Sequence, residues 1–75
     1  MASTKIEAIV TGKVWKIEKQ EGEPVAVGES IMILESMKME IPIESPVAGI
    51  VGNLSVREGD SVDEGQQVAR VDPAA

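Results

Sequence analysis

The sequence repeats itself. Displaced by 37 positions, residues 6–35 lie over residues 43–72 without a gap, and nine of the thirty positions are identical: Ile6/Ile43, Glu7/Glu44, Val10/Val47, Gly12/Gly49, Val14/Val51, Glu21/Glu58, Gly22/Gly59, Val25/Val62 and Gly28/Gly65. About two identities would arise by chance at average residue usage. The pairs Ile17/Leu54, Glu23/Asp60, Ile31/Val68, Leu34/Val71 and Glu35/Asp72 keep their chemical type. A unit this short cannot bury enough apolar surface to offset the entropy of its own chain, so the two copies must fold against each other.

Each copy reads as short β-strands. β-Branched residues recur in short runs bounded by Gly, Pro, Asp and Ser, and no window keeps helical spacing over ten residues. Glu21-Gly22-Glu23 and Glu58-Gly59-Asp60 mark matching turns, and Gly28 and Gly65 mark a second pair six residues on, all at places where a positive φ is cheap only for glycine. Gly12 and Gly49 are likewise assigned to backbone geometry, and Val25 and Val62 to the interior. Trp15 stands where the other copy has Gly52, a size difference a symmetric core could not absorb, so Trp15 belongs on the surface, either as an ordinary exposed ring or as a partner-docking one. The expected architecture is all-β: a flattened barrel or sandwich of about eight short strands related by a pseudo-two-fold axis.

Composition narrows the function classes. With 75 residues there is room for one domain, expected to span 1–75. The chain has no Cys and no His, which removes thiol nucleophiles, the commonest general base and the commonest metal ligands. An enzyme would have to work with carboxylates, lysines and hydroxyls alone. Seven basic against thirteen acidic side chains, a formal charge of -6, would repel a nucleic-acid backbone. No apolar run approaches the roughly 20 residues that span a bilayer, and the N-terminus lacks a signal-peptide pattern; a cytoplasmic protein with no membrane partner is expected. No long apolar stripe is left over once the core is assigned, so a monomer is expected.

Between the copies lies the only interior segment without a counterpart, Ser36-Met37-Lys38-Met39-Glu40-Ile41-Pro42. Residues 31–35 run into it and residues 41–45 run out, which predicts a hairpin with Lys38 at or near the tip and the chain ends at the opposite end of the domain. The alternation of Met37, Met39, Ile41 and Ile43 with Ser36, Lys38, Glu40 and Pro42 equally fits an ordinary half-buried strand with an outward lysine. Met37 and Met39 either frame Lys38 as a soft recognition surface or cap the end of the core. Glu35 and Glu40 put negative charge nearby, and Pro42, lacking a donor, blocks strand pairing on one side of the arm.

The run Glu35-Ser36-Met37-Lys38-Met39-Glu40 resembles the modification site of the biotinyl/lipoyl attachment domain family, whose biotinyl members carry Met-Lys-Met at a hairpin tip, and the likeness extends over about residues 5–72. It is nearest to single-domain biotin carboxyl carriers. The resemblance implies that Lys38 is the attachment residue, flanked by Met37 and Met39, and that a biotin protein ligase joins biotin to it. It further implies that biotin carboxylase and carboxyltransferase subunits are the partners between which carboxybiotin travels, the domain itself being no enzyme. Met on both sides of the lysine points to biotin. Ser36 stands where biotinyl domains usually have Ala and lipoyl domains often have Ser or Thr, which leaves lipoate, or both groups, as the alternative on the same lysine. An adaptor domain whose lysine is never modified is the other alternative. The gapless repeat leaves no residues for the protruding thumb that some carriers insert in the first half.

Overall fold

The computed structural model describes residues 3–73; the remaining residues of the expected 1–75 domain lie outside the described residues. Every regular element among them is a strand: β1 (Thr4–Glu7), β2 (Gly12–Ile17), β3 (Pro24–Val25), β4 (Ser30–Ser36), β5 (Met39–Glu44), β6 (Gly49–Leu54), β7 (Ser61–Val62) and β8 (Gln67–Asp72). They form two antiparallel four-stranded sheets, ordered β1-β8-β6-β3 and β5-β4-β2-β7.

The 37-residue shift converts one sheet into the other. The β1/β8 register Thr4↔Val71, Lys5↔Arg70, Ile6↔Ala69 recurs in β5/β4 as Ile41↔Leu34, Pro42↔Ile33, Ile43↔Met32. The pseudo-two-fold axis is therefore a property of the hydrogen bonding as well as of the sequence. The halves interleave, however. Each sheet takes two strands from each copy, with β1 and β3 beside β6 and β8, and β2 and β4 beside β5 and β7. Neither copy owns a sheet, which is the structural reason neither half can stand alone.

Cross-copy bonds account for several of the identities. Glu58 Oε2 accepts from the Ile17 amide at 3.0 Å, and Glu21 Oε2 accepts from the Leu54 amide at 2.8 Å, so each copy's conserved-in-repeat glutamate ties off a strand of the other. Gly22 donates to the Val51 carbonyl at 2.7 Å and Gly59 to that of Val14 at 2.8 Å, with φ of 91° and 94°. Gly28 and Gly65, at 83° and 86°, complete the expected set of left-handed turns. Gly12 and Gly49 serve differently: a Cβ on Gly12 would lie 2.5 Å from the Glu35 carbonyl oxygen, and one on Gly49 would overlap the Asp72 carbonyl oxygen, so these glycines permit close approach of neighbouring strands.

The core lies between the sheets and follows the strand alternation. Ile6, Val14, Val25, Leu34 and Ile43 and their repeat mates Val51, Val62 and Val71 are buried, as are Ile31, Met32, Val68 and Ala69. The inward placement of Val25 and Val62 agrees with the sequence expectation. Ser45 is buried where the other copy has Ala8, and its hydroxyl donates to the Val47 carbonyl at 2.5 Å, which meets the requirement that a buried polar group be bonded.

Glu29, beside the tight turn before β4, receives the Ala26 amide at 2.9 Å and lies 3.0 Å from Lys19 Nζ; that backbone bond first, and Lys19 second, hold its carboxyl below the ordinary 4.5. Stabilisation from a depressed carboxylate is complete above its unfolded pKa and is lost as pH falls through the folded one. Glu29→Gln is therefore expected to flatten the decline in urea midpoint below about pH 4.5, and to leave the slope above pH 6 untouched. An unchanged acid limb would refute the assignment.

Candidate functional site

Strands β4 and β5 form the hairpin, and their pairing continues to its end with Ser36 opposite Met39. Only Met37 and Lys38 remain to make the connection. Both have positive φ, 52° and 67°. A two-residue hairpin loop needs left-handed backbone at both positions to match the strand twist, which is why such loops usually carry Asn-Gly. Here neither is glycine, and each left-handed residue with a Cβ costs about 1–2 kcal/mol. The tip is thus a strained display element whose backbone dictates where the Lys38 side chain leaves the domain. Met37→Asn, a residue that tolerates this conformation, is expected to raise the thermal midpoint by a few degrees, roughly 0.5–1 kcal/mol. A lowered midpoint would show that the Met37 side chain is itself stabilising.

The hairpin forms with Lys38 in its turn as the sequence predicts, and the alternative of a continuous strand through residues 36–43 fails because the turn interrupts the alternation. Met37 is 93% exposed and Met39 64% exposed. Neither caps the core; both stand in solvent on either side of Lys38. Lys38 is exposed and, among the described residues, makes no hydrogen bond or ion pair. At the base of the arm Ser36 Oγ donates to the Thr11 carbonyl at 2.9 Å, and Thr11 Oγ1 accepts from the Glu64 amide at 3.0 Å, so the hairpin is fastened to the β1–β2 connection and to the β7–β8 turn. Glu35 and Glu40 face each other across β4 and β5, with Lys13 opposite Glu35 on the other flank. Pro42 lies in β5 at the open edge of its sheet, where its missing N–H leaves no ladder bond unmade.

The dyad-related counterpart of the hairpin is the pairing of β1 with β8. Ser3 Oγ donates to Asp72 Oδ1 at 2.5 Å there, and that bond first, then Arg70, lowers the Asp72 pKa. The positions opposite Met37 and Lys38 in the repeat, and with them the expected placement of the chain ends, lie outside the described residues.

Among the described residues no cluster of three potential metal-ligating side chains occurs. A shallow groove runs along the seam between β1 and β5, lined by Lys5, Ile6, Glu7 and their repeat mates Pro42, Ile43 and Glu44, but Lys38 takes no part in it. What the site can do chemically is present one primary amine, rigidly and in the open.

A doubled β scaffold that holds one exposed lysine out on a strained hairpin has the shape of a carrier domain, a chain that holds a group for others to act on. The relatives agree. The chain belongs to the biotin/lipoyl attachment family, whose model, described as Biotin-requiring enzyme, matches residues 1–71. It is 45% identical over 56 residues to the biotin/lipoyl attachment protein of Bacillus subtilis (strain 168), covering 75% of this chain and 77% of that one. It is 39% identical over 64 residues to the biotinylated protein TB7.3 homolog of Mycobacterium leprae, covering 85% and 90%. Among solved structures it superposes on the Kluyveromyces lactis urea carboxylase with a TM-score of 0.91 at 28% identity, covering 96% of this chain and 6% of that one. This is a non-catalytic carrier of biotin or lipoate.

Sequence reasoning picked out Lys38, Met37 and Met39 and placed them together. It missed the left-handed backbone at both turn positions and the Ser36–Thr11 tie. The spacing between Ser36 and Met39 held the only signal, and it could be read only once the strand register was known.

Proposed function

We propose that the chain is a biotin carboxyl carrier whose Lys38 is biotinylated by a biotin protein ligase, acting as a cytoplasmic monomer. It then carries carboxybiotin from a biotin carboxylase site to a carboxyltransferase site of a biotin-dependent carboxylase. The observation that carries this reading is the isolated, exposed Lys38 at the apex of a two-residue turn between two exposed methionines. The likeness to a biotinylated protein and to a domain of urea carboxylase supports it.

Ligation is a reaction of the Lys38 side-chain amine. That group must give up one proton to the ligase before Nζ attacks the carbonyl carbon of an acyl-adenylate. As the carbonyl–phosphate bond breaks, AMP leaves, a second proton is lost from nitrogen, and a neutral amide remains. The formal charge of the chain passes from -6 to -7. Lysine plus the biotin tail, about ten bonds, gives a reach on the order of 14 Å. Longer transfers require the domain to move, and attachment to a folded handle sets the local concentration of the group in each site.

Lipoate on the same lysine is the second reading, favoured by Ser36 and by the likeness to a protein named for both groups. Intact mass decides between them. Incubation with biotin, ATP and a biotin protein ligase is expected to add one biotin, mapped to Lys38 by peptide sequencing, and Lys38→Arg is expected to stay unmodified. Labelling only by a lipoate ligase would replace biotin with lipoate; labelling by neither would leave an adaptor domain.

A further inference from the structure

The pseudo-two-fold axis provides an internal control. Each position on the outer face of one sheet has a mate on the other, in the same register and beside the same neighbours, so any difference between the two faces is not required by the fold. The β-bulges show this most clearly. In β2 the register skips at Trp15, between Val14↔Leu34 and Lys16↔Ile33; in β6 it skips at Gly52, between Val51↔Val71 and Asn53↔Arg70. A Cβ built on Gly52 would run into the side chains of Arg70 and Asp72, so the bulge residue points over the neighbouring strand. The repeat mates of Arg70 and Asp72 are Ile33 and Glu35. By the repeat, the Cβ of Trp15 leaves the backbone on the side of that part of β4.

Across β6, β8 and β1 the paired row reads Asn53, Arg70, Lys5, with Gly52 as the bulge residue beside it; across β2, β4 and β5 it reads Lys16, Ile33, Pro42, with Trp15 as the bulge residue. The first row is polar and closed upon itself. Arg70 is bonded to both Asp72 carboxylate oxygens, at 2.9 and 3.1 Å, and to the Gly52 carbonyl at 3.2 Å. Apart from Lys16 the second set is apolar and open, with Trp15 48% exposed, Ile33 half-buried and Pro42 exposed. Toward the tip it is bordered by Lys13, Glu35 and Glu40. The scaffold tolerates a polar row at these positions, as the other sheet proves. The apolar one lies on the sheet whose β4–β5 hairpin bears Lys38.

We infer that the Trp15–Ile33–Pro42 set is the surface on which the enzyme that acylates Lys38 docks. This rests on the carrier reading and goes beyond it by assigning the recognition face. The ligase is the occupant because of what each partner has to grip. A carboxylase site can hold the cofactor ring itself, but an acylating enzyme meets the bare protein and must choose Lys38 among Lys5, Lys13, Lys16 and Lys19. Only the protein surface can make that choice, and the broad face continuous with the tip is this one. Exposed tryptophan is also among the residues most enriched where binding energy concentrates.

The symmetry designs the test. Trp15→Gly, Ile33→Arg and Pro42→Lys place the opposite sheet's residues at these three positions, with Glu35 in the place of Asp72, so the variant is expected to fold with a thermal midpoint within a few degrees of wild type. Steady-state biotinylation by a purified biotin protein ligase, with biotin and ATP, is expected to lose about thirty-fold in kcat/KM, carried by KM, as when a central aromatic anchor is removed. Trp15→Ala alone should show the larger part of that loss. Reaction of Lys38 with acetic acid N-hydroxysuccinimide ester, mapped by mass, is expected to proceed at the wild-type rate, which shows that the tip is intact. An unchanged kcat/KM, or a loss confined to kcat, would overturn the assignment. So would sedimentation showing that the set instead pairs two copies of this chain, or a quench of Trp15 fluorescence on modification with kcat/KM unaffected, which would make the set a resting place for the tethered ring. Failure of wild type to label with either biotin or lipoate would remove the carrier reading itself, and is read from the wild-type lane rather than from the variant.

Discussion

On the carrier reading proposed for Lys38, moving that lysine by one residue is expected to abolish modification without unfolding the protein. In the pair Lys38→Met with Met39→Lys, the amine would shift from the turn to the first residue of β5, paired with Ser36 and directed by strand rather than turn geometry. In the pair Met37→Lys with Lys38→Met it would occupy the other left-handed position and leave the tip on a different bearing. Local composition, charge and exposure are preserved in both exchanges. A misplacement on the order of 1 Å can cost about a hundredfold in rate, and these displacements are several times larger, so label incorporation is expected to fall by more than that. Circular dichroism and thermal midpoint should stay near wild type because neither methionine contacts the core. Labelling of either exchanged protein at more than a tenth of the wild-type rate would mean that the ligase reads the local sequence rather than the geometry of the apex.

The largest loss of stability is expected from Leu34→Ala. Leu34 is fully buried, pairs with Val14 on one side and Ile41 on the other, and lies two residues before the end of β4. Truncating a buried leucine costs about 3–5 kcal/mol through lost transfer energy and the cavity left behind. A domain of this length has roughly 4–11 kcal/mol in total. The variant should therefore lose 12 °C or more of thermal midpoint at about 4–8 °C per kcal/mol, and should show partial unfolding at physiological temperature. The repeat supplies a comparison: Val71→Ala, the dyad-related truncation, removes less side chain and is expected to cost about half as much. A drop below about 1 kcal/mol for Leu34→Ala would show that the sheets collapse around the cavity, contrary to the close packing inferred from the burial of both faces. Because β4 carries the hairpin, any residual folded Leu34→Ala protein should still accept the cofactor, which separates stability from display.

These two variants act on different links of one chain of causes. Burial between the sheets fixes β4; β4 fixes the register of the hairpin; the register leaves two residues for the turn; and the turn aims the amine. Strain at Met37 and Lys38 is tolerable because the six-residue pairing behind it over-determines the loop. The exposed methionines then flank a lysine whose position owes nothing to its own contacts.

The sequence alone determined the duplicated unit, the four left-handed glycine turns, the inward valines, the exposed tryptophan and the lysine that has no repeat mate. All of these are local signals, written in residues a few places apart or in their recurrence at 37, and steric rules for glycine or the two-residue strand period read them directly. The tertiary structure decided which strand lies beside which, that the copies trade strands between sheets, and that Trp15 and Gly52 are bulges. It also decided that Glu21 and Glu58 reach across to the other copy, and that Met37 and Met39 face water instead of the core. Alternation tells a strand which face to bury and not which neighbour to take, because many pairings satisfy one pattern equally well. The choice among them is made by long-range hydrogen bonding and packing of residues dozens of positions apart, and only once it is made do two residues remain to turn the chain and hold the lysine out.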